Sequence, residues 1–247
     1  MIIQQLLDTL YSNNSPYLSS EEKYIDNGYP HTNILYDLLQ ILFTNIEPTY
    51  IVECGSMLGG SAIRMAKTLK HNNKSTEIIC IDPFTGDVNM WDWEKNGIEG
   101  WRFLRLENGI PTIYKRFLAN CKYSGFENTI LPINATTSVG IKLLQRLFIQ
   151  KRISLLPNYI YLDSAHEKDE TFVELYLCWE CLINNSILFG DDWGWPEVKA
   201  DVIKFSDTIK NTTDYTNLNK IHNLINGSQI FNTNILLYNG QWILFKK

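Results

Sequence analysis

No block of lysine and arginine occurs anywhere in this chain. Its 22 basic residues are spread over 247 positions and outnumbered by 27 acidic ones, for a net charge of −5. That balance argues against nucleic acid or an anionic membrane as the main partner. No apolar run approaches membrane-spanning length, so no membrane is expected. Residues Met1 to Leu10 lack a basic flank and include Gln4, Gln5 and Asp8, so they do not read as a signal peptide; a cytoplasmic location is expected. Internal repeats and linker-like stretches are also missing, which predicts one domain over residues 1–247. The five cysteines, Cys54, Cys80, Cys121, Cys178 and Cys181, are odd in number and four lie in apolar runs. Buried free thiols in a reducing compartment are expected, and the Cys178-Trp-Glu-Cys181 spacing, falling inside a helix, reads as structural rather than redox-active. The dinucleotide fingerprint Gly-x-Gly-x-x-Gly is absent as well, because the position two after Gly55 is Met57.

What is present is a globular composition, 45% hydrophobic and 20% charged. The organising stretch is Tyr50 to Ala66. Tyr50, Ile51 and Val52 suit a buried strand. Gly55, Gly59 and Gly60 supply a turn that lets backbone approach a ligand, and Ser61 reads as the N-cap of the following helix. Further strands are expected at Glu77–Asp82, Thr129–Ile133, Asn158–Asp163 and from Asn185 to the Asp191-Asp192 pair. Helical apolar spacing lies between them, as in Ile34, Leu35, Leu38, Leu39 and Leu42 ahead of the first strand. A run at Gln229–Tyr238, then Asn239-Gly240, then Gln241–Phe245 is a strong hairpin signal. These elements predict an α/β fold: a Rossmann-like, doubly wound, seven-stranded, mostly parallel sheet with an antiparallel C-terminal hairpin strand.

Several acids end these strands on one sheet edge. Asp82 closes the second, where a carboxylate can accept from ribose hydroxyls. Asp163 closes the fourth and Asp191 and Asp192 the fifth. Neighbouring parallel strands lie about 4.8 Å apart, so Asp163, Asp191 and Asp192 can converge on one point. Three carboxylates there repel unless a hard divalent cation neutralises them; Mg²⁺ is expected, with Mn²⁺ or Ca²⁺ as alternatives. His166, three residues past Asp163, is placed to act as a general base, a neutral imidazole being available near pH 7. His31, His71 and His222 have no comparable setting.

The stretch Glu53-Cys-Gly55-Ser-Met-Leu-Gly59-Gly60-Ser61 resembles motif I of the class I S-adenosylmethionine (SAM) methyltransferases. Together with Asp163, His166, Asp191 and Asp192 it resembles their metal-dependent O-methyltransferases over roughly residues 50–192. The resemblance implies a SAM cofactor held by Glu53, Gly55, Ser56, Gly59 and Ser61, its ribose at Asp82, and its adenine near Asn134, Ala135 and Thr136, with Asp163 also at its edge. It implies metal ligation by Asp163, Asp191 and Asp192, and catalysis by His166. The catechol-type enzymes carry Lys at the base position and Asn last. His166 and Asp192 instead look like the macrolide-sugar type, which resembles a cephalosporin-hydroxylase-like group.

The resulting expectation is a Mg²⁺-dependent O-methyltransferase acting on a hydroxyl of a vicinal diol, a sugar or sugar-bearing small molecule. The alternatives are a catechol or phenolic O-methyltransferase, a non-catalytic SAM-fold binding subunit, and a hydroxylase on the same scaffold. Two regions carry no motif. Residues 1–47 read as an N-terminal helical arm with aromatic points at Tyr17, Tyr24 and Tyr29, able to cap the site or a second copy in a homo-oligomer, or to lie as a surface loop. Residues 84–114 are long and irregular, with Trp91, Trp93, Trp101 and Gly86, Gly97, Gly100 and Gly109. They read either as a lid over a ring-shaped substrate or as a satellite hydrophobic cluster.

Overall fold

The computed structural model describes residues 1–26, 32, 34–92, 94–95 and 98–247, with Lys95 and Ile98 described in backbone only. Tyr29, His31, Trp93 and Gly97 lie outside the described residues. In chain order the elements are α1 (Ile2–Leu10), α2 (Tyr36–Asn45), β1 (Tyr50–Cys54), α3 (Gly60–His71) and β2 (Glu77–Asp82). A segment of short pieces follows: α4 (Val88–Asp92), β3 (Glu94–Lys95), β4 (Ile98–Glu99) and α5 (Trp101–Leu104). Then come α6 (Ile113–Tyr123), β5 (Ile130–Asn134), α7 (Thr137–Ile149), β6 (Tyr159–Leu162), α8 (Glu170–Cys181), β7 (Ser186–Gly190) and α9 (Pro196–Thr208). The chain closes with α10 (Tyr215–Leu224), β8 (Gln229–Phe231), β9 (Ile235–Tyr238) and β10 (Gln241–Lys246).

The main sheet has eight strands in the order β5-β2-β1-β6-β7-β10-β9-β8. The first five are parallel and the last three antiparallel. Seven strands were expected. The eighth arises because the run Gln229–Tyr238 is not one strand: Asn232 and Thr233 take left-handed φ values of 48° and 67°. The chain doubles back there, and β8 pairs antiparallel with β9. The next turn is Asn239-Gly240, with φ of 48° and 81°, the left-handed pair that a two-residue hairpin requires.

Side chains of each strand alternate between two cores. Ile51, Ile78, Cys80, Tyr159, Tyr161 and Phe189 join α2, α3, α6 and α10 on one face. Val52, Cys54, Ile79, Ile81, Ile160 and Leu188 join α1, α7, α8 and α9 on the other. Burial on both faces is why these strands read as continuous apolar runs. All five cysteines are free and buried, Cys178 and Cys181 among them.

The strand order places the site. From β1 the chain winds outward through β2 to β5, then returns to lay β6 and β7 on the other side of β1. The order reverses between β1 and β6, and open α/β sheets bind ligands in the crevice beyond such a switch point. The two strand ends meet there: the Asp163 N–H donates to the Cys54 carbonyl at 2.9 Å.

The N-terminal arm packs on the chain's own sheet edge. Ile2, Ile3 and Leu6 of α1 enter one core and Tyr17 the other. Between them the arm crosses β5, where the Tyr17 hydroxyl donates to the Ile130 carbonyl at 2.8 Å and the Tyr11 hydroxyl donates to the Pro132 carbonyl. Residues 130 and 132 point their backbone groups away from β2, so Pro132 loses no ladder bond. The two tyrosines thus cover carbonyls that an open edge strand would expose. Farther along, Asp26 binds buried Arg116 at 2.6 Å and Arg105 at 2.7 Å. Arg116 also donates to the Phe103 carbonyl, tying the arm to the 84–114 segment.

That segment is anchored in the main core rather than forming a satellite cluster of its own. Phe84 and Leu104 are buried in the core of α2, α3 and α6, with Met90, Phe103 and Leu106 against them. Trp91 and Trp101 remain 41% and 39% exposed, so they are not what holds it down. Among the described residues no helix is long and apolar enough to cross a membrane.

Candidate active site

Gly55, immediately after β1, has φ of 84°, and a Cβ there would overlap the backbone of Asp163 and Ser164 across the switch point. Only glycine allows this approach. Gly59 is the second required glycine: at φ 86° it takes the N-cap position of α3, with Gly60 first in the helix. Ser61 is therefore inside the first turn rather than at the cap. Its hydroxyl donates to Glu53, and Cys80 also contacts that carboxylate at 3.2 Å. Glu53 is fully buried, and burial pushes its pKa up against those hydrogen bonds. Ser56 Oγ is buried without a hydrogen-bond partner among the described residues.

Asp82 ends β2 and is bound from both sides by the turn: the Met57 N–H donates to Oδ2 at 2.7 Å and the Phe84 N–H to Oδ1. Burial raises its pKa, opposed by those N–H groups. A carboxylate offers about four lone-pair sites, so Asp82 keeps capacity for further donors. Gly55, Asp82, Asp163 and His166 line one cleft of about 300 Å³. Asn134, Ala135 and Thr136 lie beside it but do not form its wall. The Ala135 N–H donates to the Asp82 carbonyl at 3.1 Å, and the Thr136 side chain caps α7.

At the far end of the cleft, ligand atoms of Asp163, His166 and Asp192 all lie within 4.8 Å of one another. An imidazole thus occupies the place in this mutually reachable set that Asp191 was expected to fill. Asp191 is buried and its carbonyl accepts from the Trp242 indole at 2.8 Å. Its charge is still felt: burial and then the charges of Asp192 and Asp191 push the Asp163 carboxyl well above the usual range. The Tyr161 hydroxyl lies 3.3 Å from Asp163 Oδ2. Asp191 and Asp192 also line a second, open hollow of about 570 Å³ with Thr32, Leu35 and Gly240. The Asp163–His166–Asp192 group therefore stands between a cleft on the glycine-turn side and a hollow on the hairpin side.

His166 is held at both nitrogens, with Nε2 2.8 Å from Asp192 and Nδ1 3.3 Å from Asp87. Burial alone would lower its pKa, but the hydrogen bonds to Asp192 and Asp87, with their charges, raise it to about 10. The same His166 bond holds Asp192 below the ordinary carboxylate range. The two carboxylates therefore favour a protonated ring, where the sequence suggested a neutral base; a cation at Nε2 would take the place of that proton. Asp87 was not singled out from the sequence; Gly86-Asp87, separated by two residues from the strand-end Asp82-Pro83, was the available signal. Trp195 was passed over too, and its ring centre lies 5.1 Å from that of His166.

The residues present fit a divalent cation: two carboxylates and an imidazole, half-buried and within mutual reach. They fit a cofactor at the turn through the close-approach glycines and the buried Ser56 hydroxyl beside Glu53.

A family model described as Methyltransferase domain matches residues 52–193, more than half of the chain. Among solved structures, a Staphylococcus aureus protein provisionally assigned as a caffeoyl-CoA O-methyltransferase superposes with TM-score 0.53 at 15% identity, over 98% of this chain and 97% of that one. The SAH-bound methyltransferase of Podospora anserina superposes with TM-score 0.53 at 11% identity, over 87% and 80%. At such identities the likeness is one of fold. No curated protein matches the chain in sequence.

Proposed function

The chain belongs to the methyltransferase-domain family, and from that premise we propose that it transfers a methyl group from SAM to a hydroxyl of a polyhydroxylated small molecule with the help of a divalent cation. The observation that carries this reading is a shared cleft: Gly55 and Asp82, the motif I and ribose candidates, line the same cavity as Asp163 and His166. The Podospora anserina relative is bound to SAH, the product form of that cofactor. Here the turn from Gly55 to Gly59 would receive the amino-acid end of the cofactor, Asp82 the ribose, and the Asn134–Thr136 segment the adenine.

Asp163, His166 and Asp192 would hold the cation. A nitrogen donor suits Mn²⁺ better than Mg²⁺, which prefers an all-oxygen shell, so Mn²⁺ is the favoured ion. When bound, such an ion lowers the pKa of a coordinated hydroxyl and fixes its oxygen. His166 serves in this scheme as a ligand between two carboxylates and not as the first proton acceptor. The open hollow on the other side, lined by Asp191, Asp192, Asn239 and backbone-only Gly194 and Gly240, suits a hydroxyl-rich acceptor better than a flat phenol. Two neighbouring hydroxyls would match two open positions on one ion, which favours a vicinal diol.

The test is calorimetry with S-adenosylhomocysteine, then transfer of labelled methyl to a panel of sugars and catechols, with EDTA and with Mn²⁺ or Mg²⁺ restored. Binding of S-adenosylhomocysteine with cation-dependent transfer to a sugar diol is expected. Transfer undiminished by EDTA would overturn the cation role, and transfer to catechols alone would overturn the acceptor class.

A further inference from the structure

The geometry points to Asp87 as the positioning residue of the site: it fixes the ring of His166 so that Nε2 faces Asp163 and Asp192, and it docks α4 against the same ring. This rests on the cation reading given above. Asp87 lies outside motif I and outside the acid pair, on the irregular segment after β2. Two left-handed residues bring it back over the sheet edge, Phe84 at φ 54° and Gly86 at φ 82°. A bulky residue in that conformation is strained, and such strain persists where surrounding packing enforces it.

The two carboxylate oxygens of Asp87 have different partners. Oδ1 accepts from the Asn89 backbone N–H at 2.8 Å and from its side-chain amide at 2.7 Å, at the start of α4. Oδ2 faces His166 Nδ1 at 3.3 Å. The opposite nitrogen, Nε2, is 2.8 Å from Asp192. With both nitrogens held, a ring flip would break both contacts. A ligating histidine typically hands its other N–H to a carboxylate, which fixes its orientation and strengthens it as a ligand. Because one carboxylate serves both the helix start and the ring, α4 and its Trp91 follow the state of His166. The Trp91 indole donates to the Thr85 carbonyl at 3.1 Å, so it reports on this turn.

Two variants separate the roles. Asp87→Ser keeps a capping oxygen for α4 but is too short to reach His166; Asp87→Glu keeps a carboxylate with two acceptor oxygens, one for each partner. Mn²⁺ binding is followed by the electron paramagnetic resonance signal of the free ion. Asp87→Ser should bind Mn²⁺ about 10–100-fold more weakly than wild type, and Asp87→Glu should recover most of that loss. Asp87 lines the cofactor cleft itself, so S-adenosylhomocysteine should still bind both variants, if more weakly, and both should keep the wild-type circular dichroism spectrum, which a general structural defect would not allow. Mn²⁺ affinity in Asp87→Ser equal to wild type overturns the inference. Should wild type bind no Mn²⁺, the cation reading fails, and a second readout decides on Asp87. In the chelator-treated protein, long-range ¹H–¹⁵N spectra should show a hydrogen-bonded His166 Nδ1 in wild type that is lost in Asp87→Ser. An unchanged His166 signal in that variant overturns the inference independently.

Discussion

The α-carbon of Gly55 rests against the carbonyl of Asp163, so closely that no side chain fits between them. Through this contact the turn after β1 and the acid at the end of β6 form one rigid corner. Gly55→Ala must both displace Asp163 and hold a left-handed φ of 84°. The backbone strain alone costs about 1–3 kcal/mol, and the overlap adds to it. Urea unfolding should show a lower midpoint with little change in slope. A wild-type midpoint would mean that the corner opens freely.

The ligand set is separable by single substitutions. His166→Ala and Asp192→Asn should each lose most Mn²⁺ binding while S-adenosylhomocysteine still binds. Asp191→Asn should retain more Mn²⁺ affinity than either, because Asp191 is outside the mutually reachable group. Calorimetry with both ligands measures this. Equal losses in Asp191→Asn and His166→Ala would restore the three-carboxylate set read from the sequence.

Stability should depend on pH through His166. Its folded pKa is raised from 6.5 to about 10. A group protonated more tightly when folded stabilises the fold fully below its unfolded pKa, near 6.5, and that contribution is lost as pH rises through the folded value. With chelator present, the stability difference between wild type and His166→Gln should therefore shrink from pH 7 towards pH 10. Thermal melts of both proteins across that range measure it. A difference that grows with pH would contradict the assignment.

Tyr17→Phe removes the hydroxyl that satisfies the Ile130 carbonyl on the edge strand. Leaving a buried carbonyl unpaired costs about 1–3 kcal/mol. The melting temperature should fall accordingly, with the cofactor affinity untouched because Ile130 lies at the opposite end of β5 from the Asn134–Thr136 segment. No change in melting temperature would mean that water replaces the hydroxyl.

Asp26→Ala strands Arg116, which is 1% exposed. Breaking a buried pair from one side typically costs about 3–5 kcal/mol. Since Arg116 also holds the Phe103 carbonyl, limited proteolysis should cut the 84–114 segment faster in this variant. Unchanged cutting would show that the apolar contacts of Leu104 and Phe84 suffice.

Local physics written in the chain determined the parallel strands, their buried runs, the helices between them and the hairpin at Asn239-Gly240. Each of these depends on periodicity or on residues whose backbone preferences act within a few positions. The same local signals located Gly55, Asp82, Asp163, His166 and Asp192 at strand ends, and so on one edge. The tertiary structure decided how those residues divide the work. Ser61 turned inward to Glu53 because Gly59 took the cap, and the run before the hairpin split because Asn232 and Thr233 went left-handed. His166 is placed between Asp87 and Asp192, whose carboxylates raise its pKa, the former 79 residues away in sequence. Charge at a buried ring depends on which carboxylates the fold brings within hydrogen-bonding distance, and no spacing along the chain encodes that distance.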